Sequence, residues 1–381
     1  MKKLYVGLLF CFMVYSCGLF ELNENNGTSD KVYVALQGLD QVGIIDSENG
    51  EMKVVDIDYN VSMSETPHFI VIDEVNRYWF VTTIASGYVG RYNLDTNELI
   101  DTLFIGDSPA LMVANKLDQK LYVSRMMPMG GMAMGSMSTI IHEIHYSDPL
   151  EMLTYQEIEL GSPAPHGIAI NSDGSEVYVT SNTADWIYKI TTFTGDINSV
   201  VMDAAFDNYP DNEAKRLNPI QCMSINDSLL VIACSAGLAY NSSSGENDTI
   251  PGQVQLWNSN SMVLLDTLQF NWKSKPWHIA KSPVNEEVFV VLAGDALYSG
   301  SAGIACLTYE SNSLAIKWQS HSDVFETLHG IDVSNDGERI YVSGRKDDHL
   351  HIFYGKTGEL EQSIPLGNNP LAGGLSVLSS Q

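Results

Sequence analysis

The sequence predicts an all-β chain folded as a single seven-bladed β-propeller, and two observations carry that expectation. One is a repeated strand–turn–strand unit. Pro165-His166-Gly167-Ile168-Ala169-Ile170 leads through Ser172-Asp173-Gly174 into Val177-Tyr178-Val179-Thr180-Ser181. Asp bonds its own backbone and Gly takes φ > 0 at little cost, so the Asp-Gly pair is a turn between two strands. Leu328-His329-Gly330-Ile331-Asp332 runs likewise into Ile340-Tyr341-Val342-Ser343. So do Pro67-His68-Phe69-Ile70 into Tyr78-Trp79-Phe80-Val81 and Pro109-Ala110-Leu111-Met112 into Leu121-Tyr122-Val123-Ser124. A period of roughly 40 to 55 residues with this content indicates a propeller or an array. The other observation is that the two chain ends hold complementary parts of one further unit.

Taken in order, residues 1–17 read as a signal peptide. Lys2 and Lys3 form a positive start, and Leu4 to Tyr15 is an apolar run too short to span a bilayer. The run ends in Val14-Tyr15-Ser16-Cys17-Gly18, which resembles a bacterial lipobox with a small residue before Cys17; Tyr15 departs from the usual pattern. Cys17 is therefore the expected lipidation site. Residues 18–30 are a polar tether, and 31–381 form the propeller. Lys31-Val32-Tyr33-Val34-Ala35-Leu36 has the character of a second strand with no first strand before it. Six full units start near residues 69, 110, 167, 220, 277 and 330, each with four strands, a to d from the inside outwards. Pro370-Leu371-Ala372-Gly373-Gly374-Leu375 is a lone a strand. Joined to the N-terminal strands it completes a seventh blade and removes the open sheet edges.

The four-strand unit places the d–a and b–c loops on one face of the ring. The long insertions, 125–138, 235–252 and 293–303 (b–c) with 203–219 and 320–328 (d–a), all fall there. Loops on a rigid scaffold carry function, so this is the expected working face. The chain has 47 acidic against 20 basic residues, which disfavours nucleic acid and anionic membrane surfaces. Beyond Cys11 and Cys17, the three cysteines Cys222, Cys234 and Cys306 have apolar neighbours and read as small buried hydrophobes rather than a disulfide framework.

The Tyr-Val-Thr-Ser and Tyr-Val-Ser pieces with their Asp-Gly turns resemble the YVTN family of propeller repeats. The resemblance covers nearly the whole mature chain and implies the fold and export, but little about function, because propellers host many functions. The repeat is also similar to the propeller of nitrous oxide reductase, which holds a copper cluster through histidines of several blades. The electron-transfer copper domain of that enzyme has no counterpart here, so its activity is not implied.

Three groups of residues could carry chemistry. Met126, Met127, Met129, Met132, Met134 and Met137 sit in one Gly-rich loop. Thioethers are soft, uncharged donors that suit Cu(I), although such a loop also serves as an apolar plug or interface. His68, His166 and His329 share one repeat position at the start of strand a, and His278 stands one place off it. Around a channel mouth, neutral imidazoles could bind copper or zinc; singly, each could instead cap a neighbouring blade. In His142-Glu143-Ile144-His145, strand alternation puts His142 and His145 on opposite faces, and His142 is the candidate ligand. His349 in Asp347-Asp348-His349-Leu350-His351 could join a site or mark a solvated turn.

The chain contains neither a Gly-x-Ser-x-Gly elbow nor a P-loop. Asn241-Ser242-Ser243 and Asn247-Asp248-Thr249 match glycosylation sequons but read as a solvated loop in a bacterial exported chain. The leading expectation is an exported, lipid-anchored, monomeric propeller of the bacterial cell envelope that binds a transition metal, copper first. A metal-free scaffold binding protein, peptide or glycan is the alternative. A lactonase-like hydrolase using Asp332, Arg345 and His329 is the third reading, so catalysis is not the expected role.

Overall fold

The computed structural model describes residues 29–106, 108–125, 138–202, 217–241 and 244–380. They form seven four-stranded antiparallel sheets plus one short hairpin, Gly237–Asn241 with Glu246–Ile250. Blades are numbered I to VII by their inner strands: Pro67–Asp73, Pro109–Asn115, Pro165–Ile170, Pro219–Asn226, Pro276–Lys281, Leu328–Val333 and Ala372–Leu378. The seventh blade is the composite expected. Lys31–Leu36 pairs with Gln41–Asp46 on one side and with Ala372–Leu378 on the other, Lys31 opposite Leu378 and Leu36 opposite Ala372. Asp30 fastens the seam: Tyr341 Oη donates to Oδ2 at 2.7 Å and the Ser380 amide to Oδ1 at 3.0 Å.

Burial explains why the blades stand as a ring. Alternate residues of each strand face the blade on either side, so both faces of every sheet are buried. The apolar side chains accordingly form seven clusters, one between each pair of neighbouring blades. Cys222, Cys234 and Cys306 are free and buried within two of them, the first two sharing the cluster between blades III and IV.

Two repeated devices shape the inner edge. Six inner strands are entered through an X–Pro step whose first residue takes the left-handed conformation: Thr66, Ser108, Ala164, Asn218, Lys275 and Asn369, with φ of 54, 49, 51, 50, 50 and 54°. Non-glycine residues rarely adopt this region, so something must hold it. At Thr66, Ala164, Asn218 and Lys275 the carbonyl accepts the amide of the residue that leaves strand b: Ile84, Asn182, Ser235 and Ala293. Blade VI repeats the clamp without proline, Arg345 N–H to Thr327 O at 2.7 Å. The second device is the hydroxyl of the Tyr-Val-Thr/Ser segment. Thr82 Oγ1 donates to Ala110 O of blade II at 2.7 Å, and Ser343 Oγ to Gly373 O of blade VII at 2.6 Å. The repeated hydroxyl is thus a stitch between inner strands.

Among the described residues, the long connections 293–303 (b–c) and 320–328 (d–a) lie on one face. Cys17 and Met126, Met127, Met129, Met132, Met134 and Met137 lie outside the described residues. Among the described residues no helix is long and apolar enough to cross a membrane.

Candidate functional site: a plugged channel with a histidine layer

Every inner strand shifts register against its partner near its first residues, and that of blade IV does so again at its other end. Such a bulge lets consecutive residues turn toward the same side. At the channel mouth the result is a layer of buried rings. His68 of blade I lies 5.5 Å from His329 of blade VI and 6.4 Å from His166 of blade III, between ring centroids. His278 of blade V stands 4.7 Å from His329. Trp277 holds the repeat position that His278 misses, 5.8 Å from His329. Beneath them Phe69 meets His278 edge to face at 5.8 Å, closing the axis.

Hydrogen bonds fix the polarity of part of this layer. Arg345 Nη1 can only donate, and it lies 2.8 Å from Gln37 Oε1. The Gln37 amide is thereby oriented, and its Nε2 donates to His68 Nδ1 at 2.6 Å. The neutral His68 ring must then carry its proton on Nε2, which is buried and without a partner. His166 has the opposite tautomer, since Nδ1 donates to Ile220 O at 2.6 Å. Nε2 of His278 and Nδ1 of His329 are also buried without partners.

Desolvation keeps the layer uncharged. Burial first, then neighbouring rings and Arg345, hold His68 and His329 well below the ordinary histidine range. Burial brings His278 to about 3 and lowers His166. Arg345 is the charge of the mouth, its affinity for protons lowered by burial. The arginine ion pairs among the described residues belong to Arg77, Arg91 and Arg339, and none to Arg345.

Other sequence candidates lie elsewhere. His142 is on the third strand of blade II, where Arg125 Nη2 approaches Nδ1 at 2.8 Å and Nε2 at 3.2 Å. Burial and Arg125 push it down to about 4. His145 is on the other face, 2.8 Å from Glu143 Oε1 and stacked on Tyr155. His349 is on the third strand of blade VI, 6.0 Å from His351 between ring centroids. Asp332 sits three residues along the strand from His329, about 10 Å at 3.3 Å per residue, at the far end of the channel. The structure therefore joins His329 and Arg345 but separates them from Asp332. Among the described residues, no three His, Cys, Asp or Glu side chains converge on a metal position.

Sequence reasoning missed Gln37 and Phe69. Gln37 and Arg345 each directly follow a second strand, Lys31–Leu36 and Arg339–Gly344. A polar residue at that repeat position in neighbouring blades was the available signal.

The same face also holds a recess of about 720 Å³ between blades IV and V, where Lys273 Nζ lies 3.8 Å above the Tyr298 ring.

Fold and site together define a seven-bladed β-propeller with a plugged, histidine-lined channel. No protein-family model matches the chain, and comparison with curated proteins gives no match. Solved structures do match. A 6-phosphogluconolactonase-like protein from Bacteroides fragilis is 14% identical, with a TM-score of 0.63 over 92% of this chain and 98% of that one. A dihydro-haem d1 dehydrogenase in complex with DHE is 12% identical, with a TM-score of 0.56 over 91% and 74%. A chain of a mitotic checkpoint complex is 14% identical, with a TM-score of 0.61 over 85% and 87%. At these identities the likeness is one of fold.

Proposed function

We propose that the channel mouth binds a small, oxygen-rich anion of the sugar-acid or lactone class. The Arg345–Gln37–His68 chain carries this reading. It presents an N–H donor with no partner beside a guanidinium with no carboxylate, and a carboxylate or phosphate oxygen satisfies both. A buried donor left unpaired costs about 1–3 kcal/mol, so a ligand that pairs it recovers that amount. The lactonase-like neighbour is consistent with this ligand class, and the export, lipid anchor at Cys17 and YVTN-type repeat suggested by the sequence would place the site in the cell envelope. Calorimetric titration with 6-phosphogluconate, gluconate and inorganic phosphate tests it. Saturable binding weakened at least tenfold by Arg345→Ala supports the reading; equal binding by the variant overturns it.

The unpaired nitrogens of His278 and His329 favour a second reading, a copper or zinc site. Ligation through His68 Nε2 would require Nδ1 to donate to a reversed Gln37 amide, which would then face Arg345 donor to donor. A metal would therefore rest on His166 Nε2, whose Nδ1–H is held by Ile220 O, on His278 and His329, and on thioethers of the Met126–Met137 loop. Competition titration with Cu(I) and Zn(II) decides it, using a loop with leucine at all six methionines and a His278→Ala/His329→Ala pair. A face that binds neither anion nor metal would act as a protein-binding scaffold.

A further inference from the structure

Below the Phe69 plug the channel opens again toward the short-turn face as a cavity of about 340 Å³. Its ceiling is Phe69 and Gln221, and its walls include Ile72, Val113, Ala114, Ile170 and Met223. These side chains come from four inner strands and are aliphatic apart from the methionine, in contrast to the ring-and-guanidinium chemistry above. Its rim is polar: Lys116, Lys281, Asp332 and Ser376. The lysine ion pairs among the described residues are those of Lys120, Lys189, Lys275 and Lys317, so neither rim lysine is in a direct ion pair, although the Lys116 charge reaches Asp332. Asp332 is committed, accepting the Val377 amide at 2.8 Å and the Val333 amide at 2.9 Å.

We infer that this lower chamber is a second ligand site, separate from the channel mouth, which takes a free monocarboxylate with a short apolar tail. The tail would fill the aliphatic bore and the carboxylate would meet Lys116 and Lys281. An apolar pocket with a few placed polar groups is the usual form of a small-molecule site, and this volume is at the small end of the range. At about 30 Å³ per atom-sized volume, as for liquid water, it holds roughly ten non-hydrogen atoms. That is the size of octanoate. The rim carries two positive groups against one carboxylate, and burial raises Asp332 to about 6, which further reduces its repulsion of an anion in mildly acidic solution.

Calorimetric titration with octanoate is the test, with octanol, octylammonium and hexadecanoate alongside. Octanoate should bind saturably, octanol at least tenfold more weakly, and octylammonium and hexadecanoate not measurably. Lys116→Ala/Lys281→Ala, two surface changes, should bring octanoate to the level of octanol. Ala114→Phe, checked for an unchanged unfolding transition, should abolish binding by filling the bore. Arg345→Ala should leave octanoate binding intact, which distinguishes this site from the one above. No saturable binding of octanoate by the wild type, or binding indifferent to both the lysine pair and Ala114→Phe, overturns the inference.

Discussion

Phe69 and His278 belong to blades that do not touch in the ring order, yet their rings meet at 87° across the axis. Their contact separates a polar mouth from an aliphatic chamber. It also places the edge of one aromatic ring against an imidazole that burial keeps uncharged, at about 3. A charged imidazole there would face other imidazoles and Arg345 with no carboxylate among the partners of the layer, so the plug depends on its neutrality.

Removing the plug tests that arrangement. Phe69→Ala should cost about 3 kcal/mol, the size of a large-to-small change in a packed site, and connect the two compartments. Urea unfolding gives the cost. A loss below 1 kcal/mol would mean that the ring is not packed as described.

The histidine layer predicts acid lability. His68, His166, His278 and His329 all have folded values below the ordinary 6.5. The unfolded chain therefore binds more protons once pH drops below 6.5. The stabilising contribution is complete above that pH and is lost as pH falls toward the depressed folded values. Each histidine contributes at most about 1.4 kcal/mol per pH unit, and His278, held at about 3, contributes nearly that much near pH 5. Urea unfolding between pH 7 and 4.5 should show stability falling with pH, and His278→Gln should reduce the slope near pH 5 by about 1 kcal/mol per pH unit. An unchanged slope in that variant would place the acid sensitivity elsewhere.

The repeat made the ring legible, because Tyr-Val-Thr/Ser strands and Asp-Gly turns return at a period that only stacked blades can bury. Ring closure was equally legible, since Lys31–Leu36 lacks an inner partner and residues 370–375 lack an outer one. The histidines followed from register. Adjacent residues such as His68 and Phe69 should point to opposite sides of a regular strand, but the register shift between Pro67 and Ile70 lets both reach the channel. The same irregularity in blade V, between Pro276 and Ile279, lets His278 join from the wrong place while Trp277 holds the right one. Gln37 escaped notice because its role depends on Arg345, 308 residues away in the chain.

Close packing at the inner edge predicts a severe effect at Gly330. A Cβ there would lie 2.7 Å from Gly373 O and 2.9 Å from Leu375 N, both backbone atoms of the next inner strand. The Gly330 amide also receives its acceptor from Ser343 Oγ at 2.7 Å, beside the stitch to Gly373. Gly330→Ala should therefore push blades VI and VII apart and cost about 1–3 kcal/mol, as overpacking does. Thermal unfolding would measure it; a melting temperature equal to the wild type would show that the strands can separate freely.

The seam of the ring gives the last prediction. Blade VII receives its inner strand from Ala372–Leu378, and Asp30 ties it to blade VI through Tyr341 and Ser380. Deleting everything after Asn369 would leave Lys31–Leu36 with one unpaired edge and expose Val32, Val34 and Leu36 of the cluster shared with blade VI. An exposed, apolar strand edge is a template for pairing with another chain. The truncated protein should aggregate or lose cooperative unfolding, as judged by light scattering and the width of the denaturant transition. Asp30→Ala removes only the tie, two hydrogen bonds to a charged group, and should cost about 3–6 kcal/mol while keeping the transition sharp. A truncation with an unchanged unfolding curve would show that the C-terminal strand does not close the ring, and a harmless Asp30→Ala would move the fastening to the strand pairing alone.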